Sequence, residues 1–349
     1  MTIAEQIASK AGVCRQSVSA VLNGSKNKVR REKRELILAL AKEMNYRPNP
    51  NAKSMSGRSV KTIGIIVPAH PSVIAYTLMN AMSHEILKRG YKSYIIAPQS
   101  PEMEHDAILE FSARKIDGMI ICAIQSMMNY DHCPIPVVVV GAKKEAFEIS
   151  VDFKYGMRLA LEHLNHVHGH ERIVFLCNRI SGNEAKYEEY CQFMKTHRFP
   201  ELAPLETCTE THLERQVENL IRKKRVTAFA GTGDLVTGQF SNLLHNMGIR
   251  IPDDVALTGY DATLLSHAGY LQLSGVVHPV VEEAQRSVAL LFEKIASQNL
   301  SKHDPVLIQP TFFKGQTCGC SGIPQACQLS ALQMDSVNRL ADFSHFFET

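Results

Sequence analysis

Apolar residues in the first 46 positions recur every three or four residues, the spacing of amphipathic helices. The first predicted helix starts with a capping box formed by Thr2 and Glu5 and ends at Gly12. The second begins near Val13–Cys14 and stops at Asn23-Gly24, and a third follows the loop SKNK and stops before Pro48. The apolar positions of the three helices are Ile3, Ile7, Ala8, Ala11, Val18, Val21, Leu22, Leu36, Ile37, Leu40, Ala41 and Met44. This order predicts a helix-turn-helix, with a generic three-helix bundle as the alternative.

From Thr62 onward, short apolar runs alternate with amphipathic stretches. The runs TIGIIVP, YKSYIIA, GMIICA, PVVVVG, RIVFLC, VTAFAG and DVALTGY are predicted strands. The predicted helices cover residues 76–89, 103–114, 155–166, 184–197, 213–224, 235–247 and 281–297. Continuously apolar strands separated by helices indicate parallel sheets covered on both faces, and the number of units suits two α/β lobes. Ligands of such sheets bind at the carboxyl ends of the strands.

Charge divides the chain at about the same place. Residues 1–61 hold 13 Lys and Arg against 4 Asp and Glu, whereas the remainder holds 25 against 31. A basic N-terminal segment on an acidic body predicts binding to a polyanion, either nucleic acid or an anionic membrane surface. No apolar run approaches the ~20 residues of a membrane span and no basic, apolar leader opens the chain, so we expect a soluble, cytoplasmic protein. Nine cysteines without a disulfide-scaffold spacing fit reduced thiols.

Seven segments carry a resemblance to a known family. In chain order they are AGVCRQSVSAVLNG, NYRPNPNAKSM, KTIGIIVP, ISVDFKYGMRLALEHL, GHERIVFL, GDLVTGQFSNLLHNMGIRIPDDVALTGYDAT and GQTCGCSG. With them the chain resembles the lactose-repressor-type (LacI/GalR) family of bacterial transcriptional regulators over roughly residues 2 to 320. The resemblance implies a small all-α helix-turn-helix DNA-binding domain followed by a two-lobed α/β, periplasmic-binding-protein-like sensor domain. It also implies a homodimer that binds operator DNA, expected to act as a repressor, with a small-molecule effector between the lobes.

The division of the chain follows from these observations. We expect a DNA-binding domain at residues 1–48, a hinge helix or linker at 49–60, an effector-binding and dimerisation domain at 61–322 and a C-terminal tail at 323–349. The tail has apolar residues mostly three to five apart, so it is expected to form an amphipathic helix that packs on the sensor domain or helps self-association. Residues 76–89 are expected to contribute to the dimer surface through Leu78, Met79, Met82, Ile86 and Leu87.

By position in the resemblance, Arg15 and Gln16 open the recognition helix. Arg can bind guanine and Gln can bind adenine bidentately, so the pair suits a major-groove edge, to which Ala20 would offer a methyl contact. Phosphate contacts are expected from Ser17, Ser19, Asn23, Lys26 and Lys28. In the hinge, Met55 occupies the place of a leucine that wedges into the minor groove, and Asn51 replaces an apolar residue.

Two helix caps depart from the family pattern. Cys14 and Arg30 stand where serines usually cap the second and third helices. Each exchange removes a side-chain acceptor, at a cost of about 1 kcal/mol.

The resemblance implies effector contacts from His70, Ser72, Lys186, Asp234, Asp261 and His278. Asp261 matches the carboxylate that accepts hydroxyl hydrogens in sugar-binding members, whereas Lys186 and His278 replace a common Arg and Gln. Lys186 beside an imidazole favours an anionic or phosphorylated ligand, and the chain has no Trp to stack on a sugar ring. Asp234 is expected near the rim of the site, with capping of the helix at Leu235 as its favoured role.

Other patterns do not predict catalysis. In HLNHVHGH the imidazoles of His163, His166, His168 and His170 are expected to point in different directions. Cys318, Cys320 and Cys327 lack a fourth ligand and the usual zinc spacing, so no metal is expected. No dinucleotide, Walker or nucleophile-elbow motif occurs, so neither a cofactor nor an enzyme is expected. A solute-binding protein of the same fold, without specific operator binding, and a sugar- or nucleoside-processing enzyme are the alternatives.

Overall fold

The computed structural model describes residues 2–22, 29–46, 59–67, 73–122, 133–141, 147–208, 212–263, 266, 272–298 and 300–320. The chain divides into two compact units, Met1–Lys61 with Ala113–Asp117, and Thr62–Ser112 with Gly118–Thr349. Each unit is described below by itself.

The described residues of the first unit form three helices, α1 (Ile3–Ala11), α2 (Arg15–Leu22) and α3 (Arg31–Glu43). The capping box of Thr2 and Glu5 is confirmed, and Gly12 ends α1 with a left-handed φ of 61°. The Lys33 ammonium donates to the Ala11 carbonyl at 2.7 Å, which satisfies one of the last carbonyls of α1 and ties it to α3. The buried core consists of Ile7, Ala8, Ala11, Val18, Val21, Ile37 and Ala41.

The helix-turn-helix differs from the sequence prediction at two apolar positions. Ile3 and Leu36 are 43% and 40% exposed, because a short helix that packs on two neighbours buries only a narrow stripe. The lost cap at Arg30 is confirmed, since its side chain makes no capping hydrogen bond. At α2 the Cys14 thiol lies 3.2 Å from the Ser17 hydroxyl, and the Cys14 carbonyl accepts the Ser17 amide.

Twelve described strands form two six-stranded sheets in the second unit. The first sheet contains β1 (Thr62–Ile66), β2 (Lys92–Ile96), β3 (Gly118–Cys122), β4 (Val137–Val140), β5 (Ile149–Val151) and β11 (Val306–Ile308), in the order β11-β5-β4-β3-β1-β2. The second contains β6 (Ile173–Cys177), β7 (Leu205–Glu206), β8 (Ala228–Gly231), β9 (Ala256–Asp261), β10 (Ser274–Val277) and β12 (Thr311–Phe313), in the order β12-β10-β9-β8-β6-β7. All pairs are parallel except that of β12 with β10. The predicted two α/β lobes are confirmed.

The helices of this unit lie between the strands in the chain. They are α4 (Val73–Lys88), α5 (Pro101–Ala113), α6 (Phe153–Glu162), α7 (Glu184–Thr196), α8 (Leu213–Glu218), α9 (Asp234–Asn246) and α10 (Val280–Ser297). A π-helical turn, His163–Val167, continues α6, and another, Asn219–Lys223, continues α8. The seven predicted strands and seven predicted helices are all present. The strands β5, β7, β10, β11 and β12 were not predicted, since runs of two to four residues carry too little periodicity.

The apolar face of α4 does not offer the predicted dimer surface. Leu78, Met82 and Ile86 are buried in the core of the first sheet, where α4 packs beside α10. Leu87 alone of the five predicted positions is largely exposed, at 65%, and Met79 is partly buried against the core. The expectation is wrong for Leu78, Met82 and Ile86, because these side chains cover the sheet of their own chain, and for Leu87 and Met79 it stays a prediction.

Among the described helices, none has the length and apolar character needed to cross a membrane.

Candidate functional site

The exposed face of α2 carries the predicted base-reading residues. Val18 and Val21 anchor the helix in the core, which turns Arg15, Gln16 and Ser19 to solvent, with Ser17 and Ala20 half-buried. Arg15 is the first residue of α2 and lies 3.8 Å from Glu5, an exposed ion pair that a competing polyanion can break at little cost. The guanidinium of Arg15 and the side-chain amide of Gln16 are therefore both exposed at the N-terminus of α2.

Several predicted site residues lie outside the described residues. These are Asn23, Lys26, Lys28, Asn51 and Met55 of the predicted DNA-binding surface, and His70 and Ser72 of the predicted effector site. Cys327 and the predicted tail also lie outside them.

Four predicted effector residues meet in the second unit. Asp261 ends β9, His278 follows β10, Asp234 begins α9 after β8, and Lys186 lies in the first turn of α7 after β6. All four therefore sit at the carboxyl ends of parallel strands of the second sheet. With Glu283 of α10 they form a group of interacting charges, which we call the polar cluster.

The Lys186 ammonium contacts a backbone carbonyl and two aromatic rings. It donates to the Thr232 carbonyl at 2.7 Å and lies 3.7 Å from the centroid of the Tyr260 ring and 5.2 Å from that of Phe153. Burial lowers the pKa of Lys186, and the charges of Asp261 and Asp234 oppose that shift. The side chain is 8% exposed, so little of its charge is solvated by water.

Asp234 does not play its predicted role. The helix α9 begins at Asp234 itself, and Gly233 is the N-cap, with no side-chain cap. The Asp234 carboxylate instead accepts the backbone N–H of Thr263, in the segment that follows β9. Asp234 is also buried and not at the rim, and burial, aided by the charge of Asp261, raises its pKa to about 7. The capping prediction is wrong because the loop after β9 supplies a donor that the sequence does not reveal.

His278 and Glu283 form a buried pair. The Nε2 atom of His278 lies 2.6 Å from a Glu283 carboxylate oxygen, and both side chains are almost fully buried. Burial acts to lower the pKa of His278, but the charges of Glu283 and Asp261 outweigh it and raise that pKa. The Nδ1 atom of His278 is buried and has no hydrogen-bond partner among the described residues. An orphaned ring nitrogen of this kind is a point for a ligand or water to bind.

The polar cluster faces the first sheet as well. Burial and the nearby charge of Glu283 raise the pKa of the thiol of Cys122, the last residue of β3.

Phe153 and Tyr260 supply the aromatic surface of the site. A Cβ on Gly156 would overlap the Tyr260 hydroxyl, so only glycine lets α6 approach this ring. Sequence reasoning missed Phe153, Tyr260 and Glu283, whose only signal is their position beside strand ends.

The imidazoles of HLNHVHGH do not all diverge as expected. The rings of His163 and His168 have centroids 5.0 Å apart and lie against the thiols of Cys318 and Cys320. His166 and His170 point elsewhere, toward the ring of His197 and the hydroxyl of Thr227. Cys318 and Cys320, which lack a fourth ligand in their own segment of the sequence, thus lie beside two histidines about 150 residues earlier, and the four side chains could hold a metal ion.

Comparisons with known proteins agree with this architecture. Residues 2–49 match the family described as bacterial regulatory proteins, lacI family, and residues 161–318 match the periplasmic binding protein-like domain. The HTH-type transcriptional repressor PurR of Mannheimia succiniciproducens is 24% identical over 329 residues, covering 89% of this chain and 96% of its own. The sucrose operon repressor of Streptococcus mutans is 23% identical over 303 residues, covering 85% and 93%. The crystal structure of the lac repressor dimer bound to operator and the anti-inducer ONPF superposes with a TM-score of 0.79 at 20% identity, covering 91% of this chain and 99% of that one.

Proposed function

The chain belongs to the lacI family of bacterial regulatory proteins, and on that premise we propose that it represses transcription by binding operator DNA under the control of a small molecule. The observation that carries the proposal is that one chain contains both a candidate DNA-binding helix and a candidate ligand-binding site. One is a helix-turn-helix whose second helix presents Arg15 and Gln16 to solvent. The other is a buried polar cluster at the carboxyl ends of a parallel sheet, in which one nitrogen of His278 has no hydrogen-bond partner within the described part of the chain. We place its action in the cytoplasm, where operator DNA is found.

DNA recognition rests on α2. The N-terminal residues of a recognition helix contact base edges in the major groove, and Arg15 and Gln16 occupy that end. Arg15 would bind guanine O6 and N7, and Gln16 would bind adenine. Ser17 and Ser19 contact phosphates, which positions the helix without reading sequence. Asn23, Lys26 and Lys28 would also contact phosphates. In the hinge, Met55 would insert into the minor groove beside Asn51.

A single helix-turn-helix makes few contacts, so the protein acts as a homodimer on a two-fold operator. The buried positions of α4 exclude that face as the source of the dimer surface, apart from Leu87. We expect the surface that joins the two copies to lie on the second unit, with Leu87 as the contribution of α4.

The charges around Lys186 support a proposal for the effector class. Lys186 and His278 face three carboxyl groups, those of Asp234, Asp261 and Glu283. A phosphorylated ligand would bring further negative charge into a buried site whose described residues already place three carboxyl groups beside two basic groups, which costs free energy. A neutral polyhydroxylated ligand can instead donate to Asp261, accept from Lys186, and lie against the Phe153 and Tyr260 rings. We therefore assign the site to a neutral sugar or a related metabolite, in place of the anionic ligand expected from the sequence, and one relative is named for a sucrose operon.

DNA binding can be tested with the full chain and genomic fragments. The selected fragments should share a two-fold symmetric sequence, and the logarithm of the affinity should fall linearly with the logarithm of the salt concentration. A chain that starts at Lys61 should not shift these fragments. If it binds them with unchanged specificity, the assignment of DNA binding to the domain at residues 1–48 and the hinge at 49–60 is wrong.

The effector is tested by a thermal-shift screen of neutral sugars, sugar phosphates and nucleobases, followed by calorimetry. A ligand at a hundred times its dissociation constant adds about 2.7 kcal/mol of stability. Asp261→Asn should lose that binding, and Asn tolerates the left-handed φ of 87° at this position. Asp253→Asn, an exposed position, is the matched control. Retained affinity in Asp261→Asn, or a preference for the phosphorylated ligands, would contradict the assignment.

A further inference from the structure

A second cluster of polar side chains lies at the opposite end of α6 from the polar cluster. Phe153, at the start of α6, lies beside Lys186 and His278, whereas His163 directly follows the last residue of this helix. Ten residues of helix separate the two by about 15 Å. Here His163, His168, Cys318 and Cys320 bring two imidazoles and two thiols together, with all four ligand atoms within 4.8 Å of one another.

Local backbone geometry explains why the two histidines meet. In an α-helix, residues five apart point to different faces, but the hydrogen bonds of a π-helix run from i to i+5. The turn His163–Val167 is π-helical, so His168 returns to the side of His163, and the rings meet edge to face. Gly169 ends the turn with a left-handed φ of 72°. π-Helical turns of this kind occur frequently at functional sites.

The two thiols are presented by the segment that follows β12. The Cys318 amide donates to the Ser274 hydroxyl, and Thr317 bonds the Ser274 amide and the Leu257 carbonyl, which fixes this segment on the second sheet. Gly319 has a φ of 96°, a conformation that side chains rarely adopt, and so allows a turn between the two cysteines. Both thiols then face the His163 ring.

The distances fit a tetrahedral metal ion. The Nε2 atom of His163 lies 3.3 Å from the Cys318 sulfur and 3.5 Å from the Cys320 sulfur, and Nε2 of His168 lies 3.4 Å from the Cys320 sulfur. Zinc binds imidazole nitrogen at about 2.05 Å and thiolate sulfur at about 2.3 Å, so a nitrogen and a sulfur on one tetrahedral zinc are about 3.5 Å apart. Three nitrogen–sulfur edges of the cluster therefore match those of a zinc site, and small side-chain movements would bring the remaining edges, all within 4.8 Å, to the same length.

The donor chemistry points to the same ion. Two nitrogens and two sulfurs in a tetrahedron are typical of zinc, and His-x₄-His lies within the usual ligand spacing. The Cys-x-Cys spacing is shorter than usual, and Gly319 supplies the turn that it needs.

We propose that His163, His168, Cys318 and Cys320 bind one zinc ion that fastens the segment after β12 to the end of α6. All four protein ligands are present, which is the arrangement of structural zinc sites, whereas catalytic sites keep a position open. The ion would join residues 155 positions apart in the chain. This site is separate from the DNA-binding helix and from the effector site.

The first test is the metal content of the full chain, purified without affinity tags that bind metal and in a reducing buffer. Elemental analysis should find one zinc per chain. The full chain stripped with a chelator should regain one equivalent on addition of Zn²⁺ alone. Co²⁺ in its place should give the visible absorption of a tetrahedral site together with a thiolate-to-cobalt charge-transfer band.

Substitution of the proposed ligands tests whether the zinc ion is bound at this cluster. Cys320→Ser and His168→Gln, both at half-buried positions, should lower zinc affinity by more than about tenfold. His166→Gln, in the same π-helical turn, and Cys208→Ser, an exposed cysteine, should keep full zinc content. Circular dichroism of each variant shows whether it is folded, and operator binding is an independent check on the first unit.

Three results would overturn the proposal. One is a chain that neither contains zinc nor takes it up, in which the four groups only hydrogen-bond to one another. Another is zinc that remains in the Cys320→Ser, His168→Gln double variant and so is bound elsewhere. The third is a Cys318–Cys320 disulfide in the reduced preparation, found by mass spectrometry.

Discussion

The Lys294 ammonium donates a hydrogen bond to a carboxylate oxygen of Glu148 at 2.6 Å, and both side chains are 2% exposed. Lys294 also donates to the Val137 carbonyl, and the carboxylate of Glu148 accepts the His303 and Val139 amides. The pair thus joins α10 to the edge of the first sheet, where β4, β5 and β11 meet. α10 is also the helix that carries Glu283 into the polar cluster.

Breaking this pair should destabilise the protein strongly. Lys294→Met leaves the Glu148 charge buried and uncompensated, and we expect a loss of about 3–5 kcal/mol in the free energy of unfolding. The double variant with Glu148→Gln should recover part of that loss, giving a coupling free energy above about 1 kcal/mol in urea denaturation. Arg250→Gln, which removes an exposed ion pair with Asp254, is the control and should leave the midpoint nearly unchanged. Additive losses in the Lys294 and Glu148 variants would show that the two charges do not interact.

The raised pKa of Asp234 should make stability depend on pH. Burial and Asp261 raise that pKa to about 7 in the folded protein, whereas the unfolded chain has a value near 3.9. Between about pH 4 and pH 7 the folded state binds the proton more tightly, so the free energy of unfolding falls as the pH rises. Asp234→Asn keeps an acceptor for the Thr263 amide but cannot ionise, so it should be more stable than the parent at pH 8, by at most about 4 kcal/mol.

Urea denaturation of both proteins from pH 5 to pH 8 measures this difference. Asp253→Asn, at an exposed position, is the control and should follow the parent. Parallel curves for Asp234→Asn and the parent would mean that the Asp234 carboxyl is ionised throughout.

Glu283 should control the protonation of His278. Its carboxylate is the main group that offsets burial, so Glu283→Gln should lower the pKa of His278 below its usual range while keeping a hydrogen-bond partner for Nε2. NMR titration of the His278 ring measures the shift. In the parent, the stabilisation from the charged pair is full below about pH 6.5 and is lost as the pH rises through the folded-state pKa. Unchanged titration in Glu283→Gln would assign the raised pKa to Asp261.

Arg15 should read one base pair in each half-site. Arg15→Ala should cost about 1–3 kcal/mol on the preferred operator and much less on sequences changed at that base pair. Lys42→Ala, in the last turn of α3, is the control for a general loss of positive charge. Competition binding with a set of single-base operator variants separates the two effects. A loss that is equal on every sequence would make Arg15 a phosphate contact.

The fold could be predicted because periodicity reports burial. Val18 and Val21 lie on one helical stripe, and runs such as the four valines of β4 are buried on both faces of a sheet. The exposure of Leu36 could not be predicted, since it depends on how wide a stripe the neighbouring helices cover.

For the candidate sites, individual residues could be named from the sequence, but the contacts between distant segments could not. Lys186, Asp261 and His278 were named from the family resemblance, and the structure places all three at the carboxyl ends of strands of the second sheet. The hydrogen bond of Asp234 to Thr263 depends on the path of a loop, which local pattern does not encode. The meeting of His163 and His168 with Cys318 and Cys320 depends on a π-helical turn and on contacts across 155 residues. Neither leaves a periodic signal in the sequence.

The strands β11 and β12 have a consequence for biosynthesis. The first adds an edge strand to the first sheet and the second adds one to the second sheet, although both come from residues 306–313. Because a ribosome releases the chain from its N-terminus, neither sheet can be completed until nearly all of these residues have left the exit tunnel. The three-helix unit, whose contacts are local, can fold early, while the two sheets wait for pairings of high sequence separation. During translation the nascent chain therefore has a formed helix-turn-helix well before it has a finished sensor.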